Sequence, residues 1–315
     1  MPDQRQRFNS FQDWYDYIAT KIDKDGNAKI DGEELKSLRF GCYSDIEKLR
    51  DRSLLVYAAN FLANLPPDAP VSIDLQDVDG FTDLISSIDE NQKTVDLLVH
   101  SPGGSPDATE RIVKLLRKRF DEVHLLVPHS AYSAATMLAM ACDTITLHKS
   151  AVLGPIDPQI NGIPARQIKR AFGNLQKKIA AEGESSIVVY LPLIEKYNLH
   201  LLEICDDAEK LSKNLVKDWL KTYMFQNKRS NGKDIASAVK YMSDFDKHLL
   251  HSRPLDIDRL KGYGIQVEYA EERLQELLWE AHILQDGLFN GGGFVKIYES
   301  PGRISWGKRL QILRA

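Results

Sequence analysis

The stretch from Leu97 to Val113, LLVHSPGGSPDATERIV, decides how this chain is read. An unbroken apolar run ends in a proline and two glycines, and a helical pattern starts straight after. A short apolar run closed by turn residues reads as a buried strand, so the segment is strand, tight turn, helix. Gly103 and Gly104 follow the proline and leave backbone N–H groups free to point at an anion. About 30 residues on, Leu125 to Ile160 repeats the scheme: LLVPHSAYSAATMLAMACDTITLHKSAVLGPIDPQI. Here Ser133 falls where the helix begins, among Ala131, Ala134 and Ala135. A serine at a helix start, crowded only by small side chains, suits an acyl-enzyme nucleophile. A carbonyl can approach closely, and the helix end favours the oxyanion that develops. Taken singly, SPGG also reads as a plain tight turn and Ser133 as a helix N-cap.

Working outward, TVDLLVH, EVHLLVPH and DTITLH are strands that alternate with helical patterns, which predicts an α/β fold around a mostly parallel sheet. Ser10 to Leu38 reads as helix, polar loop, helix, with Ser10 as N-cap. SLLVYAANFL is a strand, followed by a proline-rich break and a helix. Residues 165–250 are nearly all helical in pattern. DIDRLKGYGIQVEY is a helix followed by a strand, and Gly291 to Gly293 read as a loose loop before a short strand-like tail. No repeat or low-complexity segment occurs. The expected organisation is 1–50 as an N-terminal helical segment, 51–164 as the core, 165–250 as a helical arm, and 251–315 as completion of the core plus a tail.

Composition excludes several classes. The chain has 315 residues, 43% hydrophobic and 27% charged, with a net charge of −4. That balance argues against a general nucleic-acid binder or a basic membrane-surface protein. Cys42, Cys142 and Cys205 show no metal or redox spacing, and Cys142 in an apolar helix reads as a buried thiol in a reducing compartment. MPDQRQRFNS lacks the apolar core of a secretory signal, and no run is long enough to span a membrane. The expected location is cytoplasmic.

The segment DKDGNAKIDGEE resembles an EF-hand calcium loop. Asp23, Asp25, Asn27, Lys29 (through its carbonyl), Asp31 and Glu34 fall at ligand positions 1, 3, 5, 7, 9 and 12. Ala28 departs from the pattern, since its position takes positive φ, at a cost of about 1–2 kcal/mol for a non-glycine residue. No second loop pairs with it. The alternatives are an acidic structural helix-turn-helix and a weak calcium site.

SPGGS followed by SAYSAATMLA and LGPIDPQ resembles the serine dehydrogenase proteinase family, related to signal peptide peptidase A and the Clp proteolytic subunit within the ClpP/crotonase superfamily. The likeness runs from about Leu54 to Ile160, and more loosely to Val267. It implies a spiral of ββα units, a homo-oligomer, and peptide-bond hydrolysis with no cofactor required. Ser133 would be the nucleophile, with Gly103 and Gly104 as the oxyanion hole. Where Clp-type subunits place histidine and then aspartate, this chain has Asp157 (or Pro158) and then His251 (or Ser252). The chemical types have changed places, so His251 is the expected base and Asp157 the carboxylate that orients it. The rival is a Ser–Lys dyad using Lys177 or Lys178, which a catalytic role would require to be desolvated. His129 reads instead as a turn residue and His100 as a packed strand end.

The resulting expectation is a serine endopeptidase that holds an extended peptide or protein substrate against a strand edge near SPGG. The alternatives are a crotonase enzyme acting on an acyl-CoA and a non-catalytic, calcium-responsive oligomeric scaffold. Neither a nucleic-acid partner nor a membrane span is expected.

Overall fold

A computed structural model describes residues 5–22, 30–195, 200–226 and 232–310. Ser10 starts α1 (Phe11–Thr20) as read: its Oγ accepts from Asp13 N–H, and the Asp13 carboxylate accepts from Ser10 N–H, a capping box. Asp31 caps α2 (Gly32–Arg50), accepting from Glu34 N–H at 2.7 Å.

The core then alternates β1 (Ser53–Ala59), α3 (Asp77–Ser86), β2 (Thr94–His100), α4 (Pro106–Arg119) and β3 (Glu122–Val127). Next come β4 (Ser130–Ala131), α5 (Ala134–Met140), β5 (Thr144–Leu147), β6 (Val152–Leu153), and the hairpin β7 (Gln159–Ile160) and β8 (Ile163–Pro164). The helical stretch follows as α6 (Ala165–Glu182), α7 (Ile187–Ile194), α8 (Leu201–Thr222), α9 (Gly232–Met242), α10 (Phe245–His248) and α11 (Ile257–Gly262). The chain finishes with β9 (Val267–Tyr269), α12 (Glu272–Gly292), β10 (Phe294–Ser300) and β11 (Ile304–Arg309).

The main sheet has the order β11-β10-β1-β2-β3-β5-β9. The run from β1 to β9 is parallel, while β10 and β11 are antiparallel. Helices cover both faces, which is why β1, β2 and β3 are buried almost throughout rather than on alternate residues. Leu55 and Tyr57 of β1 belong to the core cluster that includes α3, α4, α5 and α8, whereas Leu54, Val56 and Ala58 belong to the one that includes α1, α2 and α12. The first half of α8 packs with α6 in a small separate cluster (Ala165, Ile168, Leu201, Cys205). Its second half, through Val216, Trp219 and Leu220, joins the main core with α9.

The tail differs from the sequence expectation. Gly291 and Gly292 are not loop: α12 continues through them, and only Gly293, at φ 64°, terminates the helix in the left-handed conformation. Packing decides this, because the Phe294 ring lies against Gly292, where a Cβ would come within 2.7 Å of it. The strand-like tail becomes β10 and β11, two full strands of the main sheet beside β1.

Candidate active site

A second, smaller layer of extended chain crosses the ends of the main strands. Ser101 bridges Ala131, with Ser101 N–H donating to Ser130 O at 3.0 Å and Tyr132 N–H to Ser101 O at 3.1 Å. β4 pairs β6 through Ser130–Val152 and Ala131–Leu153, and Leu255 N–H donates to Leu153 O at 2.8 Å. Four segments therefore lie side by side. Gly103 and Gly104 come just after the first, Ser133 just after the second and Asp157 just after the third, while His251 comes just before the fourth.

Ser133 adopts φ 52°, ψ −118°, a conformation that costs a non-glycine residue, and its hydroxyl caps nothing in α5. It is partly exposed, although every residue of α5 behind it is buried. Gly103, at φ 88°, packs directly on it. A Cβ there would strike the Tyr132 carbonyl and come within 2.7 Å of both Ser133 Cβ and Ala134 N. The two small-residue turns thus meet. Their amides are not equivalent: Gly103 N–H donates to Ser101 Oγ at 3.1 Å. Gly104 N–H and Ala134 N–H have no acceptor among the described residues.

His251 Nδ1 lies 3.0 Å from Asp157 Oδ1, a close contact too bent to be a hydrogen bond. Asp157 is 2% exposed, and neither of its oxygens accepts a hydrogen bond among the described residues. The segment around Asp157 is anchored by Ile156 N–H to Met242 O at 2.9 Å.

Residues 71–280, which hold all of these groups, match the family model described as ClpP-like SDH-type serine proteinase. The chain belongs to this family. Two uncharacterized proteins of Methanocaldococcus jannaschii are 31% and 28% identical to it over 173 and 176 residues, 55% and 56% of this chain. The chain spans about half the length of these relatives, 51% and 54%. Among solved structures, a ClpP1 mutant from Listeria monocytogenes has a TM-score of 0.40 at 10% identity, covering 73% of this chain and 98% of that one. A membrane-bound stomatin-specific protease mutant in complex with a substrate peptide has a TM-score of 0.37 at 16% identity, covering 76% and 83%.

The other base candidates of this family member are placed as follows. Lys177 and Lys178 are both exposed on α6, which leaves them solvated rather than desolvated. His129 Nδ1 is 2.7 Å from Ser130 Oγ, and its ring stacks on His282 with centroids 4.5 Å apart. His100 is 3% exposed, edge-on to both rings, and tilted against Phe61. His148 stacks on Trp279 at 5.1 Å. The four histidine rings, with Phe61 and Trp279, form an aromatic cluster where the strand ends meet α12.

Burial pushes all four histidines toward the neutral form; neighbouring histidines add to it at His100 and His282, and Lys149 and then His129 add to it at His148. His282 is held down at about 3 and His148 at about 4, while His100 lies well below its ordinary value and His129 is lowered by burial alone. A histidine whose folded value is depressed contributes stability above its unfolded value near 6.5, and that stability is lost as pH falls toward the folded value. His282→Phe, which keeps the aromatic stack, should therefore flatten the stability profile. Between pH 6.5 and 5 the wild type should lose on the order of 1–2 kcal/mol more than the variant. Denaturant unfolding at both pH values checks this, and parallel losses would refute it.

Of the calcium-loop residues, Asp23, Asp25, Asn27 and Lys29 lie outside the described residues. Asp31 is spent on the α2 cap. Glu34 accepts from the Tyr17 hydroxyl and from Lys21 Nζ at 2.6 Å, and Lys21 holds its carboxyl below the usual range. The carboxylate that would close a calcium loop is thus paired with a cation of the protein itself. Among the described residues, no group of three or more His, Cys, Asp or Glu side chains is placed to hold a metal. No helix among them is long and apolar enough to cross a membrane.

The sequence reading missed Ala134 N–H and Ser101. The signal for the first was present, since the first amide of any helix lacks an intrahelical acceptor. Ser101 gave no signal, because its role depends on the conformation of the turn.

Proposed function

We propose that the protein is a serine endopeptidase in which Ser133 Oγ attacks a peptide carbonyl. The observation that carries the reading is the close packing of Gly103 on Ser133, with the neighbouring Gly104 and Ala134 amides unspent among the described residues. In this mechanism those two N–H groups receive the oxyanion of the tetrahedral intermediate, and the Gly103 amide serves the turn through Ser101. His251 takes the serine proton at Nε2, because Nδ1 faces Asp157. The carboxylate sets the ring orientation and stabilises the imidazolium. The proton then passes to the leaving amine, and water repeats the sequence on the acyl-enzyme. No metal enters these steps.

A fluorophosphonate probe tests the nucleophile: it should modify Ser133 and abolish peptide hydrolysis. Hydrolysis that persists with Ser133 fully modified would overturn the assignment. His251→Ala should lower kcat by about 10²–10⁴-fold and leave a folded chain. Unchanged turnover would remove His251 from the mechanism.

A further inference from the structure

The glycine turn is held from beneath by a charge pair that the proposed chemistry never touches. Lys296 of β10 and Asp77 at the start of α3 are both 0% exposed. Lys296 Nζ donates to the Asp77 carboxylate at 2.9 and 3.0 Å, to Asp74 Oδ2 at 3.0 Å, and to the Ser72 carbonyl at 2.6 Å. Asp77 Oδ2 accepts from Asp74 N–H at 2.8 Å and from the Tyr57 hydroxyl at 3.2 Å, and the Tyr298 hydroxyl donates to Oδ1. The pair thus grips the backbone on both sides of Ile73, by the carbonyl before it and the amide after it.

Ile73 spends both of its own backbone groups on the turn. Its N–H donates to Gly103 O at 2.7 Å, and its carbonyl accepts from Ser105 N–H at 2.8 Å. The approach is so close that a Cβ on Gly104 would collide with Ile73 N and O. A trans peptide is planar, with its C=O and N–H pointing in opposite directions. With Gly103 C=O aimed at Ile73, the N–H of Gly104 in the same peptide plane must point away from Ile73, where no described residue accepts it.

We infer that Lys296 and Asp77 are positioning residues for the oxyanion hole: through Ser72, Ile73 and Asp74 they set the direction of Gly104 N–H. The inference rests on the reading of Ser133 as nucleophile. A buried ion pair is weak evidence for stability, since apolar replacements of similar volume are often neutral or stabilising. Its grip on one functional backbone segment gives it a different role here.

The test is the full chain carrying Lys296→Met with Asp77→Asn, which removes both charges together. Asp77→Asn alone, which leaves Asp74 as counter-charge to Lys296, makes the same comparison should the double variant not fold. The expected result is a cooperative thermal transition, a KM for peptide close to wild type, and a kcat at least about tenfold lower, short of the 10²–10³ lost when a donor is removed outright. A peptide boronate, which forms a tetrahedral adduct on the serine, should lose affinity by the same factor, whereas a non-cleavable peptide should not. A folded variant with unchanged kcat and boronate affinity would overturn the inference. So would a loss that only tracks the unfolded fraction. A wild-type chain that neither hydrolyses peptides nor takes the probe at Ser133 would overturn the underlying reading instead, and is distinguishable because it needs no variant.

Discussion

Ser133→Ala should leave a folded protein whose peptide hydrolysis has fallen by about 10⁴-fold or more. The fold has little to lose from the change. The hydroxyl makes no capping bond, the side chain is partly exposed, and alanine keeps the Cβ that rests against Gly103. Stability should therefore stay within about 0.5 kcal/mol of wild type. Ser133→Gly separates strain from chemistry. It is equally dead in this mechanism, but it frees φ 52° from the cost of a side chain and should stabilise the protein by about 1 kcal/mol. Denaturant unfolding alongside peptide hydrolysis reads both quantities. If Ser133→Ala retained a tenth of the wild-type rate, another nucleophile would be at work.

The legible parts of the fold were those written in local chemistry. The runs before SPGG and before SAYS are apolar at strand length and end in turn residues, so both strand–turn–helix units could be placed without knowing their neighbours. The pairing of His251 with Asp157 joins residues far apart in sequence, and it followed from comparing motif positions with a resembling family, not from pattern. The region after Glu271 was read poorly because its local pattern is misleading. Three consecutive glycines suggested a loop, yet α12 runs through the first two of them under the Phe294 ring. Nothing local in Lys296 and Glu299 marks them as interior, yet both are buried against Asp77 and Arg39. A charged residue is interior only when its partner is, and that partner lies hundreds of residues away in sequence. The same limit hid the supports of the glycine turn: Ile73 looks like any core residue, and Ser101 like any turn residue. Neither identity reveals that its backbone or hydroxyl is committed to holding a peptide plane.

Gly103→Ala should damage both the fold and turnover. The position needs φ 88°, which costs an alanine about 1–2 kcal/mol, and its Cβ would run into the Tyr132 carbonyl and crowd Ala134 N and Ser133 Cβ. Two of those obstacles are backbone atoms and cannot swing aside as a side-chain tip could. The two turns must therefore move apart, adding roughly 1–3 kcal/mol of overpacking strain. Total destabilisation should be about 2–5 kcal/mol. Displacing Ser133 from the Gly104 and Ala134 amides should also cost kcat about 10³-fold, comparable to losing an oxyanion donor. Gly162, in the hairpin between β7 and β8, is the matched control. It has φ 79° with open space around the absent side chain, so Gly162→Ala should show only the backbone cost of about 1–2 kcal/mol and normal turnover. Equal effects of the two alanines on stability and rate would mean that Gly103 is an ordinary turn glycine, and that the contact between the turns is not what places the serine.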